Sequence, residues 1–307
     1  MGMKAGAIPP QTGRLAVVTG ATGGLGYELS LMLARGCADV ILAGRDEVKG
    51  RAAVKGIRAL APQALVRFEK LDLARLASVA AFAARLRSLG RPVDMLINNA
   101  GVMALPRRVL TVDGFEMQLG TNYLGHFALT ALLLPLLRAS RTRRVVQVSS
   151  LAHRFGRIRF DDLQGERQYR AWTAYSQSKL AALLFTRELQ KQSDAHGWGL
   201  LSTAVHPGYA RTNLIANGPG PKSLIARFSR SLGRVFSHSA ESAARTAVFA
   251  ATSNAVQPGG FYGPNGILEL TGLPAHARVS ARALEDEAAA ELWQVSERLT
   301  GVRWAQD

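Results

Sequence analysis

Apolar residues in this chain come in short runs separated by longer stretches of helical spacing. The runs Leu15–Thr19 (LAVVT), 40–43, 65–71, 93–97, Arg144–Val148 (RVVQV) and 200–205 are rich in Val, Ile and Leu, and 261–262 adds a short seventh. Between them, residues 25–35, Glu47–Leu60, 78–89, 115–137 and 175–191 carry apolar side chains at helical intervals. The first pattern predicts strands and the second predicts helices. The helical stretches are long enough to cross over between neighbouring strands, which predicts βαβ units and a parallel sheet. The strands are apolar on both faces, as expected when helices cover both sides. The fold class predicted is therefore α/β, a doubly wound open parallel sheet. Residues 1–307 are read as one domain.

In such a sheet ligands bind at the carboxyl ends of the strands, near the point where the strand order reverses. The residues to inspect therefore follow Thr19, Ala43, Ile97, Val148 and Val205. After the first strand comes Thr19-Gly20-Ala21-Thr22-Gly23-Gly24-Leu25-Gly26. Glycines such as Gly20, Gly24 and Gly26 permit positive φ and let backbone N–H groups approach a pyrophosphate closely. The helix starting near Leu25 adds its positive dipole end. A turn of this kind at the first strand–helix junction marks a Rossmann-type dinucleotide site, with Thr22 in the same turn. The second strand ends in Gly44-Arg45-Asp46. An acidic residue here would bind the ribose 2′-OH of NAD, whereas a guanidinium can pair with the 2′-phosphate of NADP. Arg45 thus predicts NADP(H), while Asp46 either caps the next helix or competes for the ribose.

Tyr175-Ser176-Gln177-Ser178-Lys179 places a tyrosine and a lysine four residues apart, on one helix face. A phenol with a reference pKa of ~10 exchanges its proton poorly at neutral pH, and a neighbouring ammonium is expected to lower that value. The pair makes a general acid/base. Ser149 and Ser150 close the fifth strand, and Ser150 is the better placed to hold a carbonyl oxygen. Asn122 interrupts the long apolar helix, where a buried amide signals a backbone irregularity or a polar network.

The Thr-Gly-x-x-x-Gly-x-Gly turn, Asn98-Asn99-Ala100-Gly101 and the Tyr-x-x-x-Lys pair together resemble the short-chain dehydrogenase/reductase family over nearly the whole chain. The 25-residue step from Ser150 to Tyr175, with Leu292-Trp293 and Val302-Arg303-Trp304, is similar to its retinol dehydrogenase-like branch. The resemblance implies a catalytic set of Asn122, Ser150, Tyr175 and Lys179, the asparagine holding a water that links to the lysine. It implies further cofactor contacts from Asp72 and Leu73 at the adenine, from Asn99, Ala100 and Gly101, and from Pro207, Gly208 and Thr212 at the nicotinamide end. For Asp72, an N-cap on the following helix is the other reading.

Net charge is +16, with 38 Lys and Arg against 22 Asp and Glu among 307 residues. The basic residues are scattered and form no long run, so a nucleic-acid partner is not expected. The positive field would instead attract an anionic cofactor. Cys37 is the one cysteine, so no disulfide can form within the chain and a reducing cytoplasm is expected. Cys37 itself is read as a small packed residue. The opening residues carry no apolar signal segment and no run is long enough to span a membrane. His126, His153 and His206 fit no metal-ligand spacing, so no metal is expected. Residues 209–238 hold Asn217-Gly218-Pro219-Gly220-Pro221 and then an amphipathic stretch, read as a lid over an apolar substrate.

The function expected is NADP(H)-dependent interconversion of a lipophilic ketone or aldehyde and its alcohol. The alternatives are an NAD-dependent dehydrogenase of a hydrophobic alcohol and a cofactor-binding protein without turnover. The resemblance implies that the long helices 115–137 and 175–191 pair between subunits, as a homodimer or tetramer.

Overall fold

The first strand shows how the sequence builds layers. Leu15 and Val17 join one hydrophobic cluster, and Ala16 and Val18 join the other. A strand that buries both faces needs helices on both sides, and the chain supplies them. The structure, a computed structural model, describes residues 8–208 and 239–304. Its first half runs β1 (Leu15–Thr19), α1 (Gly24–Arg35), β2 (Asp39–Gly44), α2 (Glu47–Leu60), β3 (Val66–Lys70), α3 (Leu76–Ser88), β4 (Met95–Asn98) and α4 (Met117–Leu119). It continues with α5 (Gly125–Arg138), β5 (Arg144–Val148), α6 (Ala171–Ala195), β6 (Leu201–Val205), α7 (Ala240–Thr252), β7 (Phe261–Pro264), β8 (Pro274–His276) and α8 (Asp286–Thr300).

Eight strands form one sheet in the order β3-β2-β1-β4-β5-β6-β7-β8. All pairs are parallel except β7 with β8. The order reverses between β1 and β4, which opens a crevice at their carboxyl ends. One face is covered by α3, α5, α6 and α8, through Phe82, Phe127, Leu183 and Leu292 among others. The other is covered by α1, α2 and α7, through Leu29, Ile57 and Val248.

The expected doubly wound sheet is present, with several differences in its elements. The helix expected over 115–137 is divided: Glu116 caps α4, and a π-helical turn, Gly120–Leu124, joins it to α5. A π-turn inserts one residue, which is the irregularity that Asn122 signalled. The antiparallel β8 was not expected, and α7 and α8 lie in stretches whose periodicity was not read. The segment between Ser150 and Tyr175 folds into 3₁₀ turns at Leu151–Phe155 and Phe160–Asp162. Cys37 is exposed, not packed, and sits at φ +67° in the turn from α1 to β2. The lid expected at 209–238 lies outside the described residues. Among the described residues, no helix is long and apolar enough to cross a membrane.

Past α8 the chain turns at Gly301 (φ +66°) and returns Trp304 to the core. The Trp304 ring stacks on Trp198 at 5.6 Å and meets Trp293 at 4.5 Å and Phe127 at 5.5 Å. This aromatic group ties the C-terminal segment to α5, α6 and α8. Trp304→Ala should cost about 3–5 kcal/mol of stability, as for other buried large-to-small changes. Urea denaturation would measure it, and a loss below about 1 kcal/mol would show that the segment is not part of the core.

Candidate active site

The glycine turn is fixed from below by one hydroxyl. Thr19 ends β1 buried, and its Oγ1 accepts the N–H groups of Asn99 and Ala100, each at 2.9 Å. Asn99 returns its side-chain amide to the Thr19 carbonyl at 2.7 Å. Gly20 sits at φ +65°, and a Cβ on it would lie 2.8 Å from the Ala100 Cα. A Cβ on Gly26 would lie 2.6 Å from Asn99 Nδ2. The turn after β1 and the turn after β4 therefore touch backbone to backbone, and only glycine fits between them.

At the start of α1 the N-cap is Gly23, with no side-chain cap, and a Cβ there would meet nothing within 4 Å. With no side chain capping the first N–H groups of α1 and open space beside Gly23, the turn fits an anionic phosphate. Gly24 takes φ +53°, and Leu25 lies in the first turn of α1. Thr22 packs its methyl against Gly44 at the end of β2. Arg45 is exposed and has no ion-pair or hydrogen-bond partner among the described residues. Asp46 caps α2, accepting the Lys49 N–H at 3.0 Å, and this bond holds its carboxyl below the usual range. Of its two expected roles Asp46 takes the cap.

After β3, Asp72 accepts the Ala74 N–H at 3.0 Å and donates its own N–H to Ser78 Oγ at 3.0 Å. It closes a turn ahead of α3 and does not cap the helix; Asp113 reaches the Leu76 N–H instead, at 2.8 Å. Leu73 is buried, and its carbonyl lies against Gly125. Pro207 and Gly208 follow His206 just past β6, with Gly208 at φ +70°. Thr212 lies outside the described residues.

The other four candidates gather at the ends of β4 and β5. Asn122, in the π-turn, accepts the Val102 N–H at Oδ1 (2.8 Å). Its Nδ2 donates to Val102 O and to Ser178 Oγ, both at 2.9 Å. A Cβ on Gly101 would lie 3.1 Å from Asn122 Oδ1 and 3.6 Å from Lys179 Nζ, so the glycine keeps room between them. Lys179 is fully enclosed, and its Nζ donates to the Val148 carbonyl at 2.9 Å, where β5 ends. Ser149 donates to the Lys179 carbonyl at 2.7 Å and so pins α6 to the same strand end. Ser150 Oγ accepts the Ala152 N–H at 3.2 Å, and the hydroxyl lies beside the Tyr175 phenol, where it favours the ionised form.

Burial governs the protons here. It pushes Tyr175 up to about 12, against the Ser150 hydrogen bond, and pulls Lys179 down to about 8. The expectation that Lys179 lowers the tyrosine is not met. The ammonium lies 5.8 Å from the Tyr175 ring centroid and points its bond at Val148, so desolvation outweighs it.

Two residues of this framework escaped the reading of the sequence. Thr19 was seen only as a strand end, and His126 only as a local polar group. His126 Nδ1 meets the Asn122 carbonyl at 3.0 Å and Nε2 meets Thr19 Oγ1 at 2.9 Å. The carbonyl can only accept, so Nδ1 carries the proton and Thr19 donates to Nε2. Burial lowers this histidine to about 4, which keeps it neutral. The available signal was its place four residues after Asn122 on one helix face.

A glycine turn at a switch point, with a serine, tyrosine and lysine gathered beside it, defines a nucleotide-dependent oxidoreductase class. Residues 14–219 match the short chain dehydrogenase family, and the chain belongs to it. The chain is 42% identical over 299 residues to a polyprenol dehydrogenase of Mus musculus, spanning 96% of this chain and 86% of that protein. It is 41% identical over 294 residues to retinol dehydrogenase 12 of Homo sapiens, spanning 95% and 88%. Among solved structures, an uncharacterised protein from Mycobacterium paratuberculosis superposes with a TM-score of 0.81 at 41% identity, covering 99% of this chain and all of that one.

A histidine at about 4 when folded and ~6.5 when unfolded makes stability pH-dependent. The unfolded chain takes up the proton first, so this contribution is complete above pH ~6.5 and falls by about 1.4 kcal/mol per unit toward pH ~4. Between pH 7 and 5 the wild type should therefore lose about 2 kcal/mol more than His126→Gln in urea denaturation. Equal losses in the two proteins would sink this account. Thr19→Val should cost about 2–3 kcal/mol in the same assay, because it strips the acceptor from two backbone N–H groups.

Proposed function

We propose that the protein uses NADP(H) to interconvert a lipophilic ketone or aldehyde and its alcohol. The observation that carries this reading is the convergence of Ser150, Tyr175, Lys179 and Asn122 at the strand ends beside the glycine turn. Gly20, Gly24 and Gly26 with Thr22 and Leu25 would hold the pyrophosphate, and Asp72 and Leu73 the adenine side. Asn99, Ala100, Gly101, Pro207, Gly208 and Thr212 would line the nicotinamide side. Arg45, just past β2 and without an ion-pair or hydrogen-bond partner among the described residues while Asp46 caps α2, favours a 2′-phosphate. When bound, the nicotinamide supplies or accepts the hydride.

The rest is work for this chain's own side chains. In reduction, the hydroxyl of Ser150 and the phenol of Tyr175 would donate to the substrate oxygen and polarise the carbonyl. A phenol raised to about 12 is fully protonated at neutral pH, as a general acid requires. It delivers its proton to the developing alkoxide oxygen. Lys179 uses one of its three hydrogens on Val148 and keeps the others for the cofactor ribose and the phenolate. The room kept by Gly101 between Asn122 Oδ1 and Lys179 Nζ suits a water that refills the proton.

The apolar substrate class rests on Trp172 and on the relatives. Trp172 is 40% exposed and sets its ring edge-to-face on Tyr175 at 5.9 Å, an apolar lip beside the phenol. The relatives act on a polyprenol and on retinol by their names.

Tyr175→Phe should lower turnover by about 10²–10⁴-fold while nucleotide binding persists. Fluorescence titration should show tighter binding of NADPH than of NADH, and Arg45→Ala should remove the difference. Binding of neither nucleotide by the wild type would overturn the proposal.

A further inference from the structure

A second polar group lies beside the site and has no part in the proton path. Its centre is Glu269, in the 3₁₀ turn Ile267–Glu269 after β7. Glu269 Oε2 accepts Arg154 Nη2 at 2.6 Å and lies 3.2 Å from His206 Nε2, while Oε1 accepts the Arg278 N–H at 3.0 Å. His206 is wholly buried, and its Nδ1 accepts the Gly208 N–H at 3.2 Å. An imidazole that accepts at Nδ1 carries its proton on Nε2 when neutral, so the ring donates to the carboxylate. On the other side, Arg154 belongs to the turn that Ser150 caps. Its neighbour His153 holds the Ser150 carbonyl through both its N–H (3.0 Å) and its ring Nδ1 (2.7 Å).

We propose that Glu269 is a positioning residue: it sets the turn after β5, which carries Ser150, against the turn after β6, which carries Pro207 and Gly208. The inference rests on the oxidoreductase reading for its meaning, because those turns are the substrate-oxygen and nicotinamide sides of that site. Three features single out this carboxylate. It takes donors from three separate segments. Leu268 and Glu269 are both held at positive φ, +53° and +59°, a backbone state that non-glycine residues keep only where their surroundings dictate it. The same turn also touches Gly208 directly, since a Cβ on that glycine would overlap the Leu270 carbonyl. Gly263 is likewise side-chain-free where the His206 ring lies against it. The turn after β7 is thus seated on the turn after β6 by packing, and tied to the turn after β5 by charge.

Labelled protein would test this with two readouts, using Glu269→Ala, Glu269→Gln and Arg154→Gln. In nitrogen–proton spectra of the wild type, the His206 ring proton should lie on Nε2. Glu269→Ala should shift the backbone amides of both Ser150 and Gly208, and Arg154→Gln should shift that of Ser150 alone. With decanal as the carbonyl and NADPH as donor, Glu269→Ala should lower kcat by about 10–100-fold, with KM and the NADPH Kd changed by less than about threefold. Glu269→Gln, which keeps one acceptor, should fall between. A ring proton on Nδ1, amide shifts confined to residues 266–271, or an unchanged kcat would each overturn the proposal. If Glu269→Ala does not fold, the same comparisons are made on Glu269→Gln. If the wild type reduces no carbonyl, the oxidoreductase reading fails separately, and the amide shifts alone decide whether Glu269 couples the two turns.

Discussion

The geometry of the site depends on one buried hydroxyl. Thr19 Oγ1 receives the amides after β4 and gives its hydrogen to His126, whose other nitrogen is bound to the carbonyl of Asn122. The end of β1, the end of β4 and the π-turn thereby share one hydrogen-bond chain. Each element has packing of its own, and the directional bonds at the switch point add a fixed angle and distance between the three. Gly20 and Gly26 beside it have no side chain because the two turns, brought this close, leave no room for a Cβ.

The same enclosure that fixes the geometry sets the proton states. Burial raises Tyr175 and lowers Lys179, so both move toward their neutral forms. The pair is then no simple ion couple in which a cation strips a phenol. The lysine is oriented by a carbonyl at the end of β5, and the tyrosine, raised to about 12, is protonated at neutral pH.

The sequence displays what is local. Val- and Leu-rich runs gave six of the strands, the glycines gave the tight turn after β1, and the four-residue spacing placed Tyr175 and Lys179 together on α6. Asn122 was legible as a flaw in an apolar helix, and the π-turn is that flaw. The framework around it was not legible, because its bonds join distant positions: Thr19 and His126 are 107 residues apart, and Arg154 and Glu269 are 115 apart. No period or short motif links such pairs. The three-residue β8 is shorter than any alternation can reveal.

The two borders of the sheet differ in kind. At one, β8 runs against its neighbour and opens on Pro274, which has no N–H to offer. At the other, β3 is studded with Arg67, Glu69 and Lys70, whose charges are held in pairs with Arg85 and Glu47 nearby. An incoming strand would find a short, reversed ledge on one side and a charged rail on the other. Among the described residues the sheet therefore ends at eight strands, and neither of its borders invites extension by another chain.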